Sequence, residues 1–228
     1  MAAEGVDFAR LLRMVHDVPG IERIRFVTSH PMDISDAMID AIGELPKICE
    51  YLHFPLQSGS DKVLRRMKRY YTRSRYMEIV QKIRAKKPGM ALSTDIIVGF
   101  PGETEEDFQM TVDALKEIQF DMAFLFKYSV RPGTPAEKLG DDVPKAEKER
   151  RHQILLDLQN AITLEHNQAS VGKTVEVLVE GPSVGNQERW AGRTRENKLA
   201  VFSPGTWKFG DIATMTVQEA TAYTLRCA

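Results

Sequence analysis

The sequence predicts an α/β protein in which a parallel β/α sheet, either open or closed as a barrel, is followed by a small antiparallel β-barrel. Three observations predict it. Short apolar strands begin near residues 23, 51, 91 and 122, and these intervals of roughly 30–40 residues match one strand plus its crossover helix. Helical stretches with apolar residues at i, i+3, i+4 and i+7 fill the gaps. Beyond Gly172 the helical period gives way to short alternating runs punctuated by glycine and proline. Strand–helix alternation implies a parallel sheet, whose ligands sit at the carboxyl ends of its strands.

Taken in order, Ile24–Thr28 reads as a strand that Ser29-His30-Pro31 breaks. Ser35 caps a helix whose apolar side is Met38, Ile39 and Ile42. Tyr51–Leu56 is the next strand and ends in the turn Gln57-Ser58-Gly59-Ser60. A basic helical stretch follows, then a helix with Tyr76, Ile79, Val80 and Ile83 on one face. Ala91–Val98 is the third strand, closed by GFPGET at 99–104. Thr104 and Asp107 form a Thr-x-x-Asp capping pair ahead of Phe108, Val112 and Leu115. Asp121–Tyr128 is the fourth strand, and Arg131–Pro135 turns away from it. Pro144 opens a long helix reaching about Ser170, with Ile154, Leu155, Leu158, Ala161 and Ile162 on its apolar stripe. Strand-like runs then fall at Lys173–Glu180, Arg189–Thr194, Leu199–Phe202 and Ile212–Val217. The expected organisation is the parallel strand–helix domain over 1–143, connecting helix over 144–170 and small barrel over 171–228.

Composition excludes several classes. Lysine and arginine number 31 against 32 acids, a net charge of −1 that argues against a globally basic nucleic-acid binder but leaves room for a local patch. With 43% apolar residues, a hydrophobic core is attainable and wholesale disorder is excluded. No apolar run approaches the roughly 18–20 residues of a membrane span. The opening MAAEGVDFAR has neither the basic start nor the apolar run of a signal peptide. The expectation is a soluble, cytoplasmic protein with no membrane partner. Its two cysteines, Cys49 and Cys227, form no disulfide framework and no metal cluster site. Cys49, in an apolar context, is expected to be buried, and Cys227, next to the end of the chain, exposed. The five histidines show no HxxxH or HExxH spacing, so no metal site is expected from this chain.

The polar residues at the strand ends are the candidates for chemistry: His30, Gln57, Ser58, Asp95 and Tyr128. Asp95 stands out because its strand is otherwise apolar, and a carboxylate there needs a partner or a ligand. It can bond a neighbouring strand or accept a ligand hydroxyl, such as that of a ribose. GFPGET is either a structural turn or a loop presenting helix amides to an anion. Residues 62–87 hold eleven Lys/Arg against the single acid Glu78, which suits phosphate attraction or a solvated helix face. In the last domain Trp190, Arg193, Arg195, Lys198, Phe202, Trp207 and Lys208 cluster within 190–208. Such interleaving suits single-stranded RNA, with core packing of the tryptophans as the alternative.

Several collinear segments carry a family resemblance. TSHP at 28–31, HFPLQSGSDKVLRRMKRYYTR at 53–73, STDIIVGFPGETEEDF at 93–108 and YSVRPGTPA at 128–136 resemble the MiaB-type tRNA methylthiotransferases. VGKTVEVLVEGPS at 171–183 and GRTRENK at 192–198 are similar to that family's TRAM domain. The resemblance implies a radical S-adenosylmethionine (SAM) transferase that adds a methylthio group at C2 of N6-isopentenyl-adenosine beside the tRNA anticodon. It implies a TIM-like partial barrel, an OB-like TRAM domain, and tRNA and SAM as partners. By similarity with radical-SAM coproporphyrinogen oxidases, Gln57 and Asp95 match positions that bind the SAM ribose, and Arg69 the one that binds the methionyl carboxylate. The expected SAM set is Gln57, Ser58, Arg69, Asp95 and Tyr128, and the expected RNA set Trp190, Arg193, Arg195, Lys198 and Lys208. The family's CxxxCxxC motif for a [4Fe–4S] cluster, and three further cysteines for an auxiliary cluster, have no counterpart here. The chain is therefore expected to be the C-terminal half of such an enzyme, inactive alone, with a missing N-terminal half supplying both clusters; the alternative is a non-catalytic tRNA- or RNA-binding protein. The exposed sheet edge before Ile24 is expected to favour self-association.

Overall fold

In the computed structural model, which describes residues 5–27 and 30–228, the chain divides into two units, Met1–Asp157 and Leu158–Ala228. The first is built on a parallel sheet of three strands in the order β1 (Tyr51–His53), β2 (Ala91–Val98) and β3 (Met122–Lys127). Leu52 lies opposite Leu92, and Asp95 opposite Phe124. Helices α1 (Phe8–His16), α2 (Asp36–Glu44), α3 (Asp61–Arg66), α4 (Arg73–Lys86) and α5 (Glu105–Ile118) surround these strands in sequence.

The helices begin where the side chains can satisfy orphan amides. Asp7, Ser35, Ser60, Thr72 and Thr104 each accept a bond from a first-turn N–H of the helix that follows. Thr104 and Asp107 form the expected reciprocal capping box. The core includes Leu52, Phe54, Tyr76, Phe108 and Phe120, all essentially without solvent exposure. Tyr76 stacks on Phe54 at 4.3 Å and donates its hydroxyl to the Phe54 carbonyl at 2.6 Å.

Two strands expected from sequence are shorter than their apolar runs. Around Ile24 there is only a pair of isolated parallel bridges, Ile24 to Ile48 and Val27 to His53. Thr28 and Ser29 lie outside the described residues. The strand expected over Tyr51–Leu56 stops at His53 as a regular ladder: beyond it the Phe54 carbonyl accepts from the Tyr76 hydroxyl and the Leu56 N–H donates to Thr94 Oγ1. Its backbone nevertheless tracks β2 as far as Gln57, which adopts a left-handed φ of 69° and donates to the Asp95 carbonyl. Helix α1, capped by Asp7 and burying Ala9 and Leu12, is missing from the sequence expectations, although Phe8, Leu11, Leu12 and Val15 stand at helical spacing behind the cap.

Helix α6 (Lys145–Gln168) runs across the division between the units. The second unit contains a closed five-stranded barrel in the order β4 (Thr174–Ser183), β5 (Asn186–Thr194), β6 (Leu199–Phe202), β8 (Leu225–Cys227), β7 (Ile212–Ala220). All of its ladders are antiparallel except β6 with β8. The core is Val177, Val179, Ala200, Phe202, Ala213, Met215, Val217, Leu225 and Cys227. The exposure expected for Cys227 is thus wrong. Residues 225–227 form the fifth strand, too short to register as an apolar run, and their ladders to β6 and β7 bury the thiol. Burial also raises its pKa. Cys49 is buried as expected.

Candidate functional site

At the carboxyl ends of β1–β3 the first unit holds an open cavity of 680 Å³, in the size range of small-molecule sites. Gln57, Arg69, Asp95 and Tyr128 all line it. Four of the five residues expected to bind SAM are therefore brought together. Each arrives by a different element: Gln57 on the left-handed turn after β1, Asp95 from β2, Tyr128 directly after β3, and Arg69 in the segment following α3. Ser58 is not brought to this cavity. It is fully buried, and its hydroxyl lies 3.4 Å from that of Thr111 and accepts from the Ser60 N–H.

The charged lining of the cavity is predominantly basic. Arg66, Lys68, Arg69, Lys127 and Arg131 contribute cations, and Asp95 is the one acidic residue in the lining. The side chains of Arg69 and Lys68 make no hydrogen bond or ion pair among the described residues, although Arg69 lies near enough to His30 to lower its pKa after burial has done so. Most other cations of the 62–87 stretch are engaged with acids or carbonyls. Lys62 binds Asp107, Arg73 binds Glu117, Lys86 binds Asp40, and Arg84 reaches the Ile118 carbonyl. The basic stretch is thus largely a paired surface, with its remaining charge concentrated beside the cavity.

His30 caps the short 3₁₀ turn Pro31–Asp33, its Nδ1 accepting from the Met32 N–H at 3.3 Å, and its ring meets Tyr71 edge-on at 5.1 Å. It is not part of the cavity lining. The GFPGET loop is a structural turn. Gly99, at φ 70°, donates to Glu103, Gly102 donates to Asp142, and the Thr104–Asp107 capping pair occupies amides at the start of α5. Glu103 and Arg151 form a buried ion pair at 2.8 Å beneath this loop. Burial pushes the Glu103 carboxyl up, against the pull of the Gly99 N–H and Arg151. Lys148 contacts Tyr128 through its ring, at 5.2 Å, and through its carbonyl, and pairs with Asp141. Sequence reasoning missed these supports because they come from α6, far along the chain.

In the second unit the tryptophans pack inward. Trp190 and Trp207 are partly buried against the barrel core, and Trp207 meets Phe202 edge-on at 6.0 Å. Arg193 lies 3.8 Å from Glu180, and Arg195 lies 3.9 Å from Glu176. Lys198 donates to the His166 carbonyl, and Lys208 is exposed. Phe209 and Tyr223 are the largely exposed aromatic residues of this unit, and sequence reasoning missed both. A smaller hollow of 270 Å³ lies between Arg189 and Arg226 on β5, β6 and β8.

Residues 4–115 match the radical SAM superfamily and residues 168–227 match the TRAM domain. The tRNA-2-methylthio-N(6)-dimethylallyladenosine synthase of Alkaliphilus oremlandii is 48% identical over 220 residues, covering 96% of this chain and 47% of that protein. Proteins of the same name from Acetivibrio thermocellus and Thermoanaerobacter pseudethanolicus are each 48% identical, over 222 and 223 residues. The chain belongs to the MiaB-type radical SAM family. It spans about half the length of the curated relatives it matches. Among solved structures, coproporphyrinogen III oxidase (HemN) from Escherichia coli, a radical SAM enzyme, aligns with a TM-score of 0.52 at 16% identity. That alignment covers 82% of this chain and 50% of the oxidase, and it shows a shared fold. For this MiaB-type chain, no helix among the described residues is long and apolar enough to cross a membrane.

Proposed function

We propose that this chain is the SAM-binding and RNA-holding part of a tRNA methylthiotransferase, which adds a methylthio group at C2 of N6-isopentenyl-adenosine beside the anticodon. The observation that carries the reading is the convergence of Gln57, Arg69, Asp95 and Tyr128 on one cavity. Its donor set suits SAM. Asp95 and Gln57 offer acceptors to ribose hydroxyls, and Arg69 offers a bidentate fork to the methionyl carboxylate. When bound and supplied with an electron, SAM contributes radical chemistry. The chain's own residues bind and orient it, and Lys148 steadies Tyr128 through its ring. The TRAM barrel, with Trp190, Arg193, Arg195, Lys198 and Lys208, holds the tRNA.

A [4Fe–4S] cluster does not fit this chain. Such clusters need several thiolates, whereas Cys49 and Cys227 are buried and belong to different units. No group of three or more His, Cys, Asp or Glu suited to a metal occurs among the described residues. Both clusters are proposed to come from a further segment of the enzyme, and the isolated chain to be catalytically inactive. The test is production of 5′-deoxyadenosine by the purified chain with SAM and a strong reductant. None is expected, and turnover above the no-protein control would overturn the proposal.

A further inference from the structure

We propose that His53 is a positioning residue for Asp95, and that Ser93 and Tyr51 fix the imidazole tautomer it needs. The proposal rests on the reading of Asp95 as the hydroxyl acceptor of the SAM site. Tyr51, His53, Ser93, Asp95 and Phe124 lie on one face of the sheet, by the alternation along β1, β2 and β3 and their register. On that face they form a continuous polar line. The Tyr51 hydroxyl is 2.7 Å from Ser93 Oγ, Ser93 Oγ is 2.8 Å from His53 Nδ1, and His53 Nε2 is 3.4 Å from Asp95 Oδ2. The Phe124 ring closes the side of the imidazole edge-on at 5.9 Å.

Donor counting gives this line a direction. Ser93 Oγ has one hydrogen to donate and lone pairs to accept with, and it is fully buried. A carboxylate only accepts, so a neutral imidazole facing it is stable with its hydrogen on Nε2. Nδ1 then accepts from Ser93, and Ser93 accepts from the Tyr51 hydroxyl. The opposite order aims an imidazole lone pair at the Asp95 carboxylate. Oδ2 faces His53 Nε2 at 3.4 Å, Oδ1 has no hydrogen-bond partner among the described residues, and Asp95 remains part of the cavity lining. His53 therefore presents Asp95 to a ligand through a single oxygen in a fixed orientation, in the way an outer partner orients a ligating group.

The test is nitrogen-15 NMR of the histidine-labelled chain, combined with calorimetric binding of S-adenosylhomocysteine. The expected spectrum shows His53 in the Nε2–H form at neutral pH, shifting toward a tautomer mixture in Ser93→Ala and Tyr51→Phe. His53→Phe is expected to weaken binding about tenfold, while His53→Gln, whose amide N–H reaches the same side, recovers most of the affinity. Circular dichroism melts identify any variant that fails to fold. An Nδ1–H tautomer in the wild-type chain, or equal binding losses in the Phe and Gln variants, overturns the positioning role. If the wild-type chain does not bind S-adenosylhomocysteine, the SAM reading fails, and the tautomer measurement alone still decides the role of His53.

Discussion

Asp95 shows how far a single residue can be read in advance. A carboxylate within an apolar strand needs a reason, and the structure supplies both alternatives that the sequence leaves open. It contacts the neighbouring strand through His53 and it lines a cavity. Asp95→Ala is expected to abolish S-adenosylhomocysteine binding while leaving tRNA affinity nearly unchanged, as measured by calorimetry and filter binding on one preparation. Equal loss of both would mean that the substitution damages the fold rather than a site. Arg69 is legible only through family resemblance, because nothing in its basic surroundings distinguishes it from Arg73 or Arg84, which the fold uses for pairing. The place of Cys227 near a terminus suggests exposure, but such a position says nothing about pairing in a ladder. Both thiols are buried, so a thiol reagent is expected to modify neither in the native state and both after denaturation. Rapid labelling of Cys227 in buffer would show that the last strand of the barrel is open.

At the level of elements, the capping pair is the most legible feature, since Thr-x-x-Asp before an apolar helical stripe has one local explanation. The structure adds long-range partners that the local pattern does not contain. Asp107 also accepts from Ser60 at 2.7 Å and pairs with Lys62 at 2.9 Å, tying α5 to the start of α3. Burial alone would raise its pKa, but the Thr104, Lys62 and Ser60 bonds outweigh it and hold the carboxyl at about 2. A depressed carboxylate stabilises the fold above its unfolded pKa, and that contribution disappears as pH falls through the folded value. Asp107→Ala is accordingly expected to cost about 2 kcal/mol at pH 7 by urea denaturation. The difference from wild type should shrink as pH is lowered from about 4 toward 2. The same gap at both pH values would locate the loss in packing instead of charge. Elsewhere the elements are less legible for identifiable reasons. The run at Ile24 is apolar enough for a strand, but only isolated bridges, Ile24 to Ile48 and Val27 to His53, form there. The loop GFPGET has its conformation set by Glu103, Asp142 and Arg151 rather than by its own glycines alone.

Across the whole molecule, alternation of strand and helix followed by short β runs is sufficient to anticipate a parallel sheet and a closed β-barrel. It does not reveal the parallel pairing of β6 with β8, because that ladder joins segments more than twenty residues apart and leaves no local pattern. Net charge near zero hides a segregation in which cations gather beside the cavity of the first unit. On the barrel, Arg193 and Arg195 face Glu180 and Glu176. Their proposed phosphate contacts therefore exchange one partner for another. Replacing Arg193, Arg195 and Lys198 together by serine is expected to weaken binding of an anticodon stem-loop RNA. It should also flatten the salt slope by about 0.7 to 0.9 for each phosphate that is no longer neutralised. An unchanged slope would place the RNA contacts on another face.

The central claim is that the cavity at the strand ends is a SAM site built by residues of this chain. It is tested most directly by calorimetric titration of S-adenosylhomocysteine into the purified 228-residue chain and its Asp95→Ala variant. The account predicts saturable one-site binding to the wild type and its loss in the variant. Absence of binding to a folded wild-type chain, or equal binding to both proteins, would contradict it.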